Sequence, residues 1–262
     1  MVDFQGFWLN LDRCEERAIW MQSRLVELHV SDQYLRISGV EGDASEAASR
    51  GLKPGEWGAW QGWIRMLDQA SQSSAPFVHL MEDDVDISDS FIRLVQDDFL
   101  RGLLDRQKVA CTDAYVSPRQ CLALLNAVAE AKCNGRQWLE ISGGLRIPCL
   151  NSLLLRPEVA RRLCSDLQAA VSKGDSLQAV DVELAQMFND WCTIAPFVTS
   201  PKLNLASVGA TREDTEDASL FSRDALTLLR RALFCKGDDP DLKVGLADLM
   251  VRLADAGILR PY

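Results

Sequence analysis

The run Phe77-Val78-His79-Leu80-Met81, followed at once by Glu82-Asp83-Asp84-Val85-Asp86, constrains this chain more than any other stretch. A short, mainly apolar run bounded by turn residues reads as a buried strand. Four acids within the next five residues then mark its exit. In open α/β sheets, ligands sit beyond the carboxyl ends of the strands. Acids delivered there suit a hard divalent cation, since Mg²⁺ or Mn²⁺ is held by one or two carboxylates together with substrate phosphates. Side chains alternate along an extended segment, so Glu82, Asp84 and Asp86 are expected on one side and Asp83 on the other. The competing reading is a solvated loop, with Asp86-Ile87-Ser88-Asp89 capping a following helix. A calcium-binding loop counted from Asp84 fails, because Asp89 stands where glycine is required and Val95 where the closing glutamate belongs.

The rest of the chain supplies a framework for such an edge. Phe7-Trp8-Leu9-Asn10-Leu11 reads as a first strand turning at Asp12-Arg13 into a helix through Met21 and Leu25. That turn exposes backbone N–H groups to a phosphate. Arg13 and Arg17 lie one helical turn apart and can grip a diphosphate; the alternative is that both pair with nearby acids. Tyr34 to Val40 reads as a second strand. Pro54-Gly55-Glu56 starts a helix with a stripe of Trp57, Trp60, Ile64 and Leu67. Three tryptophans so close together can stack on a sugar, but the helical spacing favours core. Further helices are expected over 90–104, over 118–132, from Arg156-Pro157 and from Val180. Strands are expected at 108–111, in the Gly143–Leu155 stretch and at 191–198. Asp181 is a natural cap for its helix. Residues 218–258 read as two or three amphipathic helices. Early alternation of strand and helix predicts an α/β layered fold with a mostly parallel or mixed sheet.

Composition narrows the function classes. The chain has 262 residues, 47% hydrophobic and 25% charged, enough for one large domain with an appendage. A net charge of −10 disfavours bulk electrostatic binding to nucleic acid or anionic lipid. Eight cysteines lack any Cys-x-x-Cys spacing, which fits reduced, buried thiols. No secretory leader and no apolar run of membrane-spanning length is evident, so the expectation is a cytoplasmic protein.

Three motifs in order carry a family resemblance: Trp8-Leu9-Asn10-Leu11-Asp12-Arg13 with Glu16-Arg17, then Gly55-Glu56-Trp57-Gly58-Ala59, then Leu80-Met81-Glu82-Asp83-Asp84-Val85. Together they resemble glycosyltransferase family 25, over roughly residues 5 to 95 and more loosely beyond. The resemblance implies a GT-A-like nucleotide-binding domain over 1–215 and a helical C-terminal appendage over 216–262. It implies Mn²⁺ or Mg²⁺ on a UDP-sugar, with inversion at the anomeric carbon. Asn10, Leu11, Asp12, Arg13, Arg17, Glu56 and Asp83 would contact the donor. Glu82, Asp84 and Asp86 would hold the metal. Asp181 or Glu183 would act as base. Where the family often reads Ser-His, this chain has Gly62-Trp63, a departure that bears on donor and acceptor preference. The implied reaction moves galactose or glucose to a hydroxyl acceptor: a glycan, a peptide side chain or a small molecule. The C-terminal helices would offer a surface for a homo-oligomer. Two rival readings remain: a non-catalytic binding module on the same scaffold, and a metal-dependent nucleotidyl or phosphoryl transferase, for which no P-loop is present.

Overall fold

A computed structural model describes residues 3–106, 108–114, 116, 118–142, 151–174, 176–202, 227–228 and 230–234. The fold is α/β. Its strands are β1 (Gln5–Asn10), β2 (Tyr34–Ser38), β3 (Val78–Glu82), β4 (Val85–Ile87), β5 (Val109–Cys111), β6 (Leu139–Ser142), β7 (Ser152–Leu155), β8 (Trp191–Ala195) and β9 (Thr199–Pro201). The helices are α1 (Glu15–Glu27), α2 (Ala44–Ser49), α3 (Pro54–Ser71), α4 (Ser90–Gln96), α5 (Asp98–Asp105), α6 (Pro118–Cys133), α7 (Pro157–Lys173) and α8 (Val180–Met187).

Seven strands form one mixed sheet in the order β2-β1-β3-β7-β5-β8-β6, and β4 pairs with β9 apart from it. The pairs β1–β2, β1–β3 and β5–β8 are parallel, whereas β7 runs antiparallel to both neighbours and β6 antiparallel to β8. Two reversals of direction across β7 leave β5 and β8 parallel to β1, β2 and β3. All five carboxyl ends therefore open on one edge.

Apolar residues of α3, α7 and α8 cover one face of the sheet, with Trp57, Trp60 and Trp63 buried among Leu163, Leu167 and Leu184. The tryptophan stripe is thus core, as its spacing favoured. The other face lies under α1, α4 and α5, which contribute Met21, Leu25, Phe91, Leu94 and Leu100. A polar thread crosses this second face. Tyr34 Oη meets His79 Nδ1 at 2.5 Å, His79 Nε2 meets Ser152 Oγ at 2.6 Å, and Thr112 Oγ1 lies 2.6 Å from both Ser152 Oγ and Thr199 Oγ1. Every one of these groups is buried, so the thread satisfies donors and acceptors that water cannot reach.

Several sequence expectations need correction. Helix 90–104 is two helices, because the Asp97 carboxylate accepts from Phe99 N–H at 2.9 Å and starts α5. The 191–198 strand ends at Ala195 as β8, and a further strand beyond it, β9, leaves the main sheet to pair with β4. Strand β6 was not anticipated. Of the Gly143–Leu155 stretch, β7 is described, while residues 143–150 lie outside the described residues. Most of 218–258 lies outside them too. Within that stretch, Arg230 and Arg231 are buried and ion-paired to Asp113 and Asp86 of the body. Among the described residues, six cysteines, including Cys111, Cys164 and Cys192, are free thiols. No described helix is long and apolar enough to cross a membrane.

Candidate active site

The residues that follow β1, β2 and β3 converge on a cleft of about 440 Å³ at the shared carboxyl edge. Asn10, Leu11 and Arg13 come from the β1 exit, Gly39 to Gly42 from the β2 exit, and Glu82 to Asp84 from the β3 exit. Arg17 of α1 closes one side. The first turn of α3 closes the other, with Pro54, Gly55 and Gly58. That helix can approach so closely because residue 42 is glycine: a Cβ there would overlap the Pro54 carbonyl.

The register of the parallel strands sets the cleft's chemistry. Leu9 pairs with Glu82, so Asn10 stands level with Asp83. Asn10 Nδ2 donates to Asp83 Oδ2 at 2.6 Å, and Arg17 Nη1 donates to Asp83 Oδ1 at 2.7 Å. Arg36 Nε in turn donates to Asn10 Oδ1 at 2.9 Å, which fixes the amide orientation. Asp83 is therefore a strut tying β3, β1 and α1 together. Asp12 is a second strut, accepting from Arg36 Nη2 at 2.7 Å and Ser38 Oγ at 3.1 Å. Arg13 pairs with Glu41 on the cleft rim, both half-exposed or more. The arginines thus do pair with neighbouring acids, and both still line the cleft.

Glu82 and Asp83 diverge as alternation requires, and Asp84 lies in the turn that follows. Glu82 turns toward α3, where Trp63 Nε1 donates to its Oε1 at 3.2 Å. Asp83 turns toward α1. Asp84 sits in the following turn with Oδ2 at 3.7 Å from Arg17 Nη1. Its Oδ1 is buried and has no hydrogen-bond partner among the described residues. Burial, and then the negative charge of Asp84, push the Glu82 carboxyl up to about 7; Asp83 and Asp181 add smaller repulsions. Burial also raises Asp84, against the opposing pull of Arg17.

Asp86 does not join them. The chain turns at 83–84 and enters β4, so Asp86 is buried away from the cleft against Arg231 Nη1 at 3.0 Å, with Arg24 Nε at 3.7 Å. A carboxylate already held between two guanidinium groups serves the packing of β4 on α1 and on residues 230–234. Glu56 does not line the cleft; its Oε2 accepts from Lys53 N–H at 2.8 Å and caps the start of α3.

Asp181 is not the cap of α8. Ala179 occupies that position, and Asp181 lies inside the first turn with Oδ1 accepting from Val182 N–H at 2.9 Å. Its charge is felt at Glu82. Glu183 folds back to accept from Gln178 N–H at 3.4 Å. Sequence reasoning gave no site role to Arg36 or Lys53, and it noted Trp63 with Gly62 only as a departure from the pattern the chain resembles.

Among the described residues, no three His, Cys, Asp or Glu side chains form a ready-made metal cage. Glu82 and Asp84 nonetheless fit a cation that completes its donor set with phosphate oxygens, given the unpaired Asp84 Oδ1 and the mutual repulsion of the two acids.

No family model matches the chain, and no curated protein matches it. Among solved structures, the fold is similar to that of the galactosyltransferase LgtC in complex with donor and acceptor sugar analogs. The two chains are 10% identical, the match covers 92% of this chain and 99% of that one, and the TM-score is 0.44. A likeness of that degree assigns neither substrate nor chemistry.

Proposed function

We propose that the chain is a metal-dependent, inverting glycosyltransferase of GT-A-like architecture that moves galactose or glucose from a UDP-sugar to a hydroxyl acceptor. The observation that carries the reading is the convergence of Asn10-Leu11, Arg13, Arg17 and Glu82 to Asp84 on one cleft at the carboxyl edge of three parallel strands. That is where an α/β sheet binds a nucleotide.

Glu82 and Asp84 would hold the Mn²⁺ or Mg²⁺. A divalent cation there would balance the charge that develops on the departing diphosphate. Arg13 and Arg17 face the same cleft and supply positive charge to the phosphates. Asp83 and Asp12 contribute by fixing the loops that carry these groups. The acceptor hydroxyl oxygen forms its bond to the anomeric carbon as the bond to the diphosphate oxygen breaks, and the hydroxyl proton passes to a carboxylate. Asp181 is the better base, because it lies near enough to the cleft for its charge to be felt at Glu82. Asp181→Asn is expected to lower turnover about a hundredfold or more with little change in donor affinity, and Glu183→Gln to change both little. Single-turnover transfer assays check this. Equal losses in both variants would remove the assignment.

The primary test is a thermal-shift panel of UDP, GDP and CMP with and without Mn²⁺. Ligands that bind only the folded state raise the melting temperature by mass action. A UDP shift that requires Mn²⁺ supports the transferase. No shift with any nucleotide favours a non-catalytic binding module, the reading to which the Gly62-Trp63 departure points.

A further inference from the structure

Resting on that reading, we propose that Trp63 is a positioning residue for the cation, acting through Glu82. The indole is wholly buried in the core beneath α3, and its N–H reaches Glu82 Oε1 at 3.2 Å. An indole N–H donates and cannot accept, so it recognises an acceptor oxygen alone. It also carries no charge, so it orients the carboxylate without neutralising it. The treatment of the next acid shows the contrast. Asp83 receives Asn10 and the Arg17 guanidinium and is spent on holding the loops together. Glu82 receives one neutral donor on one oxygen, which leaves Oε2 without a hydrogen-bond partner among the described residues.

The approach of α3 makes this contact possible. Residue 62 is glycine, and a Cβ there would stand 2.8 Å from Leu9 Cδ2. The helix therefore sits against β1 closely enough for the following indole to reach the end of β3. Gly62 keeps this approach free of contact with the Leu9 side chain, and Trp63 aims the carboxylate. With one oxygen tied to the indole, Glu82 is presented through the other. That arrangement suits Mg²⁺, or the similarly six-coordinate Mn²⁺, better than Ca²⁺, which readily takes both oxygens of a carboxylate.

The test measures Mn²⁺ and Ca²⁺ affinity calorimetrically in the presence of UDP, for the unaltered protein, Trp63→Phe, Glu82→Gln and the double variant. Trp63→Phe keeps a ring in the core and removes the donor. It is expected to weaken Mn²⁺ binding about tenfold to a hundredfold, as loss of a group orienting a metal ligand does, and to narrow the preference over Ca²⁺. In the Glu82→Gln background the same change is expected to add nothing, because Trp63 acts through Glu82. A Trp63→Phe affinity within twofold of the unaltered protein overturns the inference while leaving the transferase reading in place. So does an equal loss in both backgrounds, which would mark a general packing effect. If the unaltered protein binds no Mn²⁺ with UDP, the transferase reading fails and this inference with it. Should Trp63→Phe not fold, the Trp63 indole N–H resonance of the unaltered protein carries the test. It must shift when Mg²⁺ is added with UDP, and a fixed resonance overturns the proposal.

Discussion

Adjacent acids of one turn have opposite jobs, and single substitutions should separate them. Asp83 accepts from Asn10 and Arg17 in a nearly closed environment. Asp83→Ala leaves Arg17 without its main partner and is expected to cost about 3–5 kcal/mol of stability. Asp84→Asn removes a buried carboxylate with an unpaired oxygen, so the fold should hold or gain slightly while Mn²⁺-dependent UDP binding disappears. Urea unfolding and calorimetry check the pair. A large stability loss at 84 would contradict the division of labour. At this scale the sequence was legible in part. Alternation along an extended strand assigns Glu82 and Asp83 to opposite sides, and they lie there. It could not foresee that the chain turns at 83–84, because three acids in a row carry no mark of where pairing with β1 stops. Asp86 therefore read as a ligand, although it lies between Arg24 and Arg231. One of these guanidinium groups comes from 145 residues further along the chain.

Elements with strong periodicity or clear end signals were the most readable. The α3 start is an example. Proline at the first helical position and Glu56 two residues on announce a helix, and the structure uses Glu56 to accept from Lys53 N–H. If that is its role, Glu56→Ala should lower stability by about 1 kcal/mol and leave UDP affinity unchanged. A loss of UDP affinity without loss of stability would restore Glu56 to the donor set. The break between α4 and α5 was harder to see, since neither glycine nor proline stands at it and its only trace is a slip in apolar spacing from Leu94 to Leu100 across Asp97. Strand β6 hides for a related reason: Glu140 and Ser142 interrupt its apolar run at the far edge of the sheet. There Glu140 pairs with Arg106 at 2.6 Å and with Lys108. Short strands paired only through tertiary contact leave little trace in local pattern.

For the molecule as a whole, buried His79 and half-buried Glu82 pull stability in opposite directions with pH. Burial holds the His79 imidazole down from 6.5 to about 3. The folded state then binds fewer protons than the unfolded chain, so this contribution is complete above 6.5 and is lost as pH falls toward 3. Glu82 is raised from 4.5 to about 7, so its contribution is complete below 4.5 and is lost as pH rises through 7. Between 4.5 and 6.5 the slopes oppose. Glu82→Gln is expected to steepen the acid loss across that window and to raise stability above pH 7, by an amount on the order of a few kcal/mol. Urea midpoints from pH 4.5 to 8 read both effects, and an unchanged profile would show that Glu82 is not held in a charge-hostile site. The mixed sheet also has a seam. Among the described residues, strand β7 joins the parallel group β2-β1-β3 to the group β5-β8-β6, and its ladder with β5 spans two residue pairs, Ala110 with Leu154 and Cys111 with Leu153, with Thr112 N–H donating to Ser152 O just beyond. A ladder that narrow is where the sheet should part when it breathes. In native-state hydrogen exchange, we expect the amides along β5 and β7 to open at lower free energy than those between β1 and β3, and equal protection across all of them would refute it. The donor cleft would then ride on the half that stays closed, so the protein could loosen its far side without releasing what it holds.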